Sequence, residues 1–237
     1  MKKSGLALIA VVLCSSALPV RAAPARWVEG TDYIVLERPQ ATTVPAGKVE
    51  VMDIFSYACP FCDKFEPVID RVKHSLPPYA QIVFLPASFI PTEDWPMFQQ
   101  AYFAAQSLGI ADRTHQAIYD AVWKTGELAT VDQATNELKH PLPSLQDAAR
   151  YYSKLTGVSE QKFLTAARSF GVAMQMREAD AQIKAMQVPG TPCIVVAGKY
   201  RVNMDSMHSV DDVVNVVKYL VVKAHSQHPR PAARPSA

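Results

Sequence analysis

Two cysteines stand at Cys59 and Cys62, separated by Pro60 and Phe61, and what surrounds them constrains the fold more than any other stretch of the chain. Before them runs Val49 to Tyr57, apolar, β-branched and aromatic, introduced by the turn signal Pro45-Ala46-Gly47. That pattern predicts a buried strand. After them Phe61, Phe65, Val68, Ile69, Val72 and Leu76 recur at helical spacing, so the segment predicts a helix with one apolar face. A strand that delivers a C-x-x-C pair to the start of a helix is the setting of a redox dithiol.

The chemistry follows from that placement. Cys59 falls at the helix cap, and Pro60 occupies the first helical position, where its missing N–H costs nothing. Unpaired backbone N–H groups and the helix dipole favour an anion there, so the Cys59 thiol should ionise more readily than an ordinary one. The thiolate is the attacking and leaving species in disulfide exchange. Cys62, one turn further on, is placed to close a disulfide with Cys59 and should be less exposed. The competing reading is half of a zinc site or two unrelated thiols. A structural zinc site takes about four ligands, and no second Cys/His pair stands at ligand spacing. His74, His115, His140, His208, His225 and His228 read as surface or packing residues, and no metal or organic cofactor is expected.

Residues 1–22 read as a secretory signal peptide. Lys2 and Lys3 form a charged start, Gly5 to Leu18 an apolar stretch short for a bilayer span, and Val20-Arg21-Ala22 a cleavage site. An uncleaved anchor, or a lipoprotein site at Cys14, are the alternatives. Without Cys14 the chain keeps Cys59, Cys62 and Cys193, which suits a catalytic pair better than a disulfide framework. Export brings the protein into oxidising surroundings. The formal net charge is +2, but Lys2, Lys3 and Arg21 supply three positive charges and the body of the chain is slightly acidic. Nothing in it makes a basic face for nucleic acid.

Residues 24–47 form an exposed arm with one short strand, Tyr33 to Leu36, suited to a sheet edge. Alternation in the next strand puts Val49, Val51, Asp53 and Phe55 on one face. Asp53 is a carboxylate in an apolar strand, where burial raises its pKa. It reads either as an edge residue without a role or as a buried proton donor and acceptor near the inner thiol. Pro67 should kink the following helix without ending it, and Pro77-Pro78 should stop it. Gln81 to Leu85 is the next strand, parallel to the first through a right-handed crossover. Pro86 to Pro96 reads as a loop. Residues 96–186 then carry helical patterns and no strand signal. Leu145 to Leu155, Glu160 to Ser169 and Val172 to Met186 are helices, separated by Gly157 and Gly171. Cys193 to Ala197, the turn Gly198-Lys199 and Tyr200 to Val202 make a hairpin, and Val210 to Val222 a closing helix. Residues 226–237, rich in Pro, Ala, Arg and Ser, read as a disordered tail.

This order of elements, with Thr191-Pro192 ahead of the hairpin, resembles the thioredoxin fold. The fold class is therefore α/β, a thioredoxin fold over residues 23–95 and 187–225 with a large inserted all-helical domain at 96–186. The leader, the size of the insertion, Asp53 before the motif and Gly198-Lys199-Tyr200 after it resemble the periplasmic thiol:disulfide oxidoreductases of the DsbA type, over roughly residues 27–222.

The resemblance implies that Cys59 is the exposed nucleophile forming a mixed disulfide and Cys62 its buried partner. It implies that Asp53 is the acid beneath the site, and that Pro60, Phe61, Thr191 and Pro192 meet the substrate. Thr191-Pro192 matches a cis-proline loop that turns the Thr191 backbone toward the substrate strand. The reaction it implies is dithiol oxidation: reduced or unfolded exported proteins are the substrates, and a quinone-linked membrane oxidase restores the disulfide. A monomer is expected.

Two positions depart from the family pattern. Relatives most often carry His where Phe61 stands, and a histidine can support the thiolate where Phe cannot. Cys59 is thus expected to be less acidic here, while Phe61 adds apolar surface for unfolded chains. Asp53 stands where many relatives have Glu, and their nearby Lys has no clear match. Cys193 reads as a buried small residue, with a third redox-active thiol as the alternative. The rival functions are an exported reductase or isomerase on the same fold, and a chaperone-like binder of unfolded chains.

Overall fold

The computed structural model describes residues 27–132 and 134–227. The expected signal peptide, Cys14 and all but two residues of the expected tail lie outside them. Five strands form one sheet: β1 (Tyr33–Val35), β2 (Val49–Phe55), β3 (Ala80–Pro86), β6 (Cys193–Val196) and β7 (Tyr200–Val202), in the order β1-β7-β6-β2-β3. β2 and β3 are parallel, as the crossover requires, and the other pairs are antiparallel. β2 is the central strand and is buried along its whole length.

The crossover is α1 (Pro60–Ser75), which continues through Pro67 and ends at the cap residue Leu76, before Pro77-Pro78. It shares one face of the sheet with α7 (Val210–Gln227). There Val68, Ile69 and Val72 meet Val213, Val216, Val217 and Leu220 over Val49, Val51, Ile194 and Val196. Valine costs a helix up to about 0.7 kcal/mol per residue. Full burial of one such side chain contributes roughly 1.5–3 kcal/mol, so packing decides the conformation of α7. This helix runs five residues beyond the expected Val222 and takes in Ser226 and Gln227. Contacts at its end explain the extension. Lys223 Nζ donates to the Tyr33 hydroxyl at 2.6 Å, and Gln227 Oε1 accepts from the Tyr200 hydroxyl at 2.7 Å.

The opposite face carries the inserted block. Its helices are α2 (Trp95–Ser107), α3 (Ala111–Trp123), α4 (Leu145–Thr156), α5 (Glu160–Ala167) and α6 (Phe170–Ala185). The stretch expected as a loop up to Pro96 contains a 3-10 turn at Pro91–Glu93, and α2 already begins at Trp95. Gly171 does not separate two helices; it lies inside α6, whose cap is Ser169, the side chain accepting from the Val172 N–H at 3.2 Å. Nor is the block wholly helical. β4 (Val131–Asp132) and β5 (Glu137–Leu138) pair as a small hairpin. Its turn is made by Asp132, whose carboxylate accepts from the Ala134 and Thr135 N–H groups, and by Asn136 at φ +60°. Side-chain turn chemistry of this kind outweighs weak strand propensity.

The β6–β7 hairpin turns through Ala197 and Gly198, both left-handed at φ +55° and +60°. At Gly198 a side chain would also collide with the Gln40 carbonyl, so the arm before β2 can lie across the turn only because no Cβ is there. Among the described residues no helix is long and apolar enough to cross a membrane.

Candidate active site

Ser56, Tyr57 and Ala58 link the end of β2 to α1, and Cys59 is the helix cap, extended at φ −88° and ψ 115° with Pro60 at the first helical position. The cap geometry read from the motif is therefore present. All three described cysteines are free thiols. Thr191 and Pro192 are joined by a cis bond and precede β6. The loop they form comes over the motif, and Cys59 Sγ lies 3.5 Å from the Thr191 carbonyl oxygen. The structure thus brings together Cys59, Cys62, Thr191 and Pro192.

Exposure does not follow the expected division. Cys59 is only 3 % exposed and Cys62 2 %. The Cys59 sulfur is tucked under the Thr191-Pro192 loop rather than presented to solvent, although it is the shallower of the two thiols. Phe61, between them, is 67 % exposed and forms the apolar surface of the motif.

The two thiols are electrostatically unequal. Cys59 is lowered to about 6, chiefly by the hydrogen bond from the Cys62 thiol, against the opposing effect of burial; Thr191 and the backbone N–H groups of Phe61 and Cys62 also favour the thiolate. Cys62 is pushed far up, first by burial and then by its hydrogen bond with Cys59 and by the Cys59 charge. One sulfur is built to hold charge and the other to hold a proton. Cys193, directly after Pro192, is 2 % exposed and pushed up to about 12 by burial. Burial of this kind fits the packing reading of Cys193.

Asp53 is 2 % exposed, and its Oδ1 has no hydrogen-bond partner. Burial, then the negative charges of Glu66 and Cys59, raise its carboxyl well above the usual range. It is therefore the buried acid of the sequence reading, not an edge residue. Its surroundings were only partly legible. Glu66 sits one turn after Cys62 on α1, a carboxylate on the half-buried side of an amphipathic helix. His115 lies on the apolar face of α3 with Ile118, Tyr119 and Val122. The sequence reading placed it among surface or packing residues; it does pack, but it also has polar partners. Tyr57 Oη lies 2.9 Å from its Nδ1, and its Nε2 lies 3.6 Å from Glu66 Oε1. Helical spacing from Cys62 would have pointed to Glu66. No local signal pointed to His115.

Comparisons with known proteins agree with this geometry. No family model matches the chain. It is 31% identical to the thiol:disulfide interchange protein DsbA of Pseudomonas aeruginosa over 219 residues, 92% of this chain and 95% of that protein. To the protein of the same name from Salmonella typhimurium it is 31% identical over 232 residues, 94% of this chain and 100% of that one. Among solved structures, that of Pseudomonas aeruginosa DsbA superposes with a TM-score of 0.69 at 30% identity, covering 85% of this chain and 96% of its own. The oxidoreductase DsbA from Xylella fastidiosa superposes with a TM-score of 0.70 at 28% identity, covering 82% and 96%.

Proposed function

The chain belongs to the DsbA family of thiol:disulfide oxidoreductases, and from that premise we propose that it oxidises the dithiols of exported proteins in the periplasm, with Cys59 as the sulfur under attack. In the first step a substrate thiolate attacks Cys59 of the Cys59–Cys62 disulfide. The S–S bond breaks, its electron pair goes to Cys62, and Cys62 takes up a proton. In the second step another substrate thiolate attacks the substrate sulfur of the mixed disulfide. The substrate leaves oxidised, with Cys59 as a thiolate and Cys62 as a thiol. Asp53, whose carboxyl burial holds well above the usual range, is the proton donor for Cys62. A quinone-linked membrane oxidase then restores the disulfide.

The observation that carries this reading is the inequality of the two thiols. A sulfur that holds charge as readily as Cys59 leaves easily, and a dithiol form stabilised in this way makes the disulfide a good oxidant. Phe61 on the surface, with Thr191 and Pro192 behind it, supplies the contact for an unfolded chain.

The test is the redox equilibrium of the protein without its leader against glutathione, followed at the Cys59–Cys62 pair. Easy reduction of the disulfide, with oxidation of a reduced unfolded protein, is the expected result. A disulfide that resists reduction as thioredoxin does would make the protein an exported reductase instead. Cys59→Ser separates exchange from binding: a chaperone-like binder keeps its affinity for unfolded chains when the sulfur is gone, while exchange is lost.

A further inference from the structure

We propose that His115, carried by the inserted helices, passes protons between a groove beside α1 and the buried compartment of Asp53 and Cys62, with Glu66 as its partner. The proposal rests on the reading of Cys59 and Cys62 given above and adds a positioning residue that no feature of the motif announces.

The geometry is specific. The imidazole packs edge-on and tilted among aromatic rings at the end of β2 and on β3, α2 and α3. Its centroid is 4.9 Å from that of Phe55, two residues beyond Asp53 on β2, and 4.3 Å from that of Phe84, the register partner of Asp53 in β3. Tyr102 and Tyr119 close the remaining sides. Nδ1 is engaged by Tyr57, two residues before Cys59. Nε2 is buried, has no hydrogen-bond partner and faces Glu66 Oε1 at 3.6 Å. That distance is too long for a hydrogen bond, and a small rotation of the carboxylate closes it.

Glu66 and His115 both line a groove of about 810 Å³, together with Phe84, Asp112 and Gln116 and with Lys73 at its rim. This groove is the open side of the cluster that holds Glu66, Tyr102 and His115. The groups facing His115 are Tyr57 from the turn, Glu66 from α1, Tyr102 from α2 and Tyr119 from its own helix, and Glu66 in turn acts on Asp53 through its charge.

The proton count of the exchange calls for such a connection. Oxidation of a substrate dithiol releases two protons and two electrons. The enzyme keeps both electrons, and one of the protons goes onto Cys62 while the other goes to solvent. Cys62 is 2 % exposed, so its proton comes from within. Asp53 can give it, and is left as a buried carboxylate that must be reprotonated. His115, charged from the groove, returns the proton by way of Glu66, and reoxidation of the pair reverses the path.

The decisive measurement is the ring-nitrogen NMR of His115 across about pH 5 to 9, in the oxidised and the reduced protein. Linkage is reciprocal. If His115 serves the dithiol, its protonation curve moves between the two redox states. Curves that superimpose would overturn the proposal while leaving the exchange activity, and so the functional reading, intact. A second arm uses His115→Gln, which keeps a donor toward Glu66 but carries no exchangeable charge. The glutathione equilibrium should lose part of its pH dependence, and reduction of the disulfide should slow by roughly tenfold or more at neutral pH. The thiolate absorbance curve of Cys59 should stay where it was. A variant with the wild-type pH dependence and rate counts against the proposal; if the variant does not fold, the NMR comparison on the unaltered protein decides.

Discussion

The sulfur of Cys59 lies 3.5 Å from the carbonyl oxygen of Thr191, a residue 132 positions further along the chain. Nucleophile and substrate-facing backbone are thus one unit, assembled when β6 pairs with β2. The Cys59 thiol is lowered to about 6 from an ordinary value of 9.0, with the Cys62 hydrogen bond as the largest cause. A depressed acid stabilises the folded reduced protein fully above the ordinary value, and that contribution disappears as pH falls through about 6. Thiolate absorbance of the reduced protein should therefore show a midpoint near 6. The urea midpoint of reduced relative to oxidised protein should fall between about pH 8 and about pH 5. A reduced form that gains relative stability on acidification would contradict this.

Asp53→Asn should stabilise the protein at neutral pH. The raised carboxyl works in the opposite direction to Cys59: its burial is tolerated at low pH, and stability is lost as pH rises above the ordinary value of 3.8. Removing the ionisable group abolishes that loss, on the order of 1 kcal/mol or more. The advantage should shrink toward pH 4 in urea titrations of both proteins, and an advantage that grows there would refute the assignment. The same variant should slow exchange, because Cys62 loses its donor.

Phe61 separates binding from acidity. The residue is 67 % exposed between the two thiols. Phe61→Ala should leave the Cys59 midpoint near 6 but weaken an apolar peptide substrate by roughly 1.5 kcal/mol, about tenfold in KM. Phe61→His places a cation beside the thiolate and should lower the midpoint further, shifting the glutathione equilibrium toward the reduced enzyme. An unchanged midpoint in the histidine variant would show that residue 61 does not reach the sulfur.

Alkylation should distinguish the three thiols. In the native reduced protein iodoacetamide should modify Cys59, with Cys62 and Cys193 reacting only after unfolding, because burial keeps both protonated. Cys193→Ala should leave exchange rates unchanged. Native-state labelling at Cys193, read by mass spectrometry, would reopen its role.

Much of the fold was readable in the chain itself. The unbroken apolar run of β2, the helical period of α1 through Pro67 and the short hairpin of β6 and β7 are local patterns, and local patterns show in sequence. The misses have identifiable physical reasons. Gly171 looked like a break, but it falls just inside a helix that starts from the Ser169 cap. The β4–β5 hairpin is too short to show a period, and the Asp132 side chain makes its turn. Cys59 looked exposed because nothing near it in sequence covers it; the cover is Thr191.

By itself, the sequence determined the Cys59–Cys62 pair and its place at the cap of α1, since both depend on spacing within a single element; the burial of Asp53 follows from the central position of β2 in the sheet. Tertiary structure alone decided which residues surround them. His115 is 58 positions from Tyr57, and it meets that side chain only because α3 packs beside α1. Electrostatic and hydrogen-bonding influence depends on distance in space, and the packing of the inserted helices sets that distance.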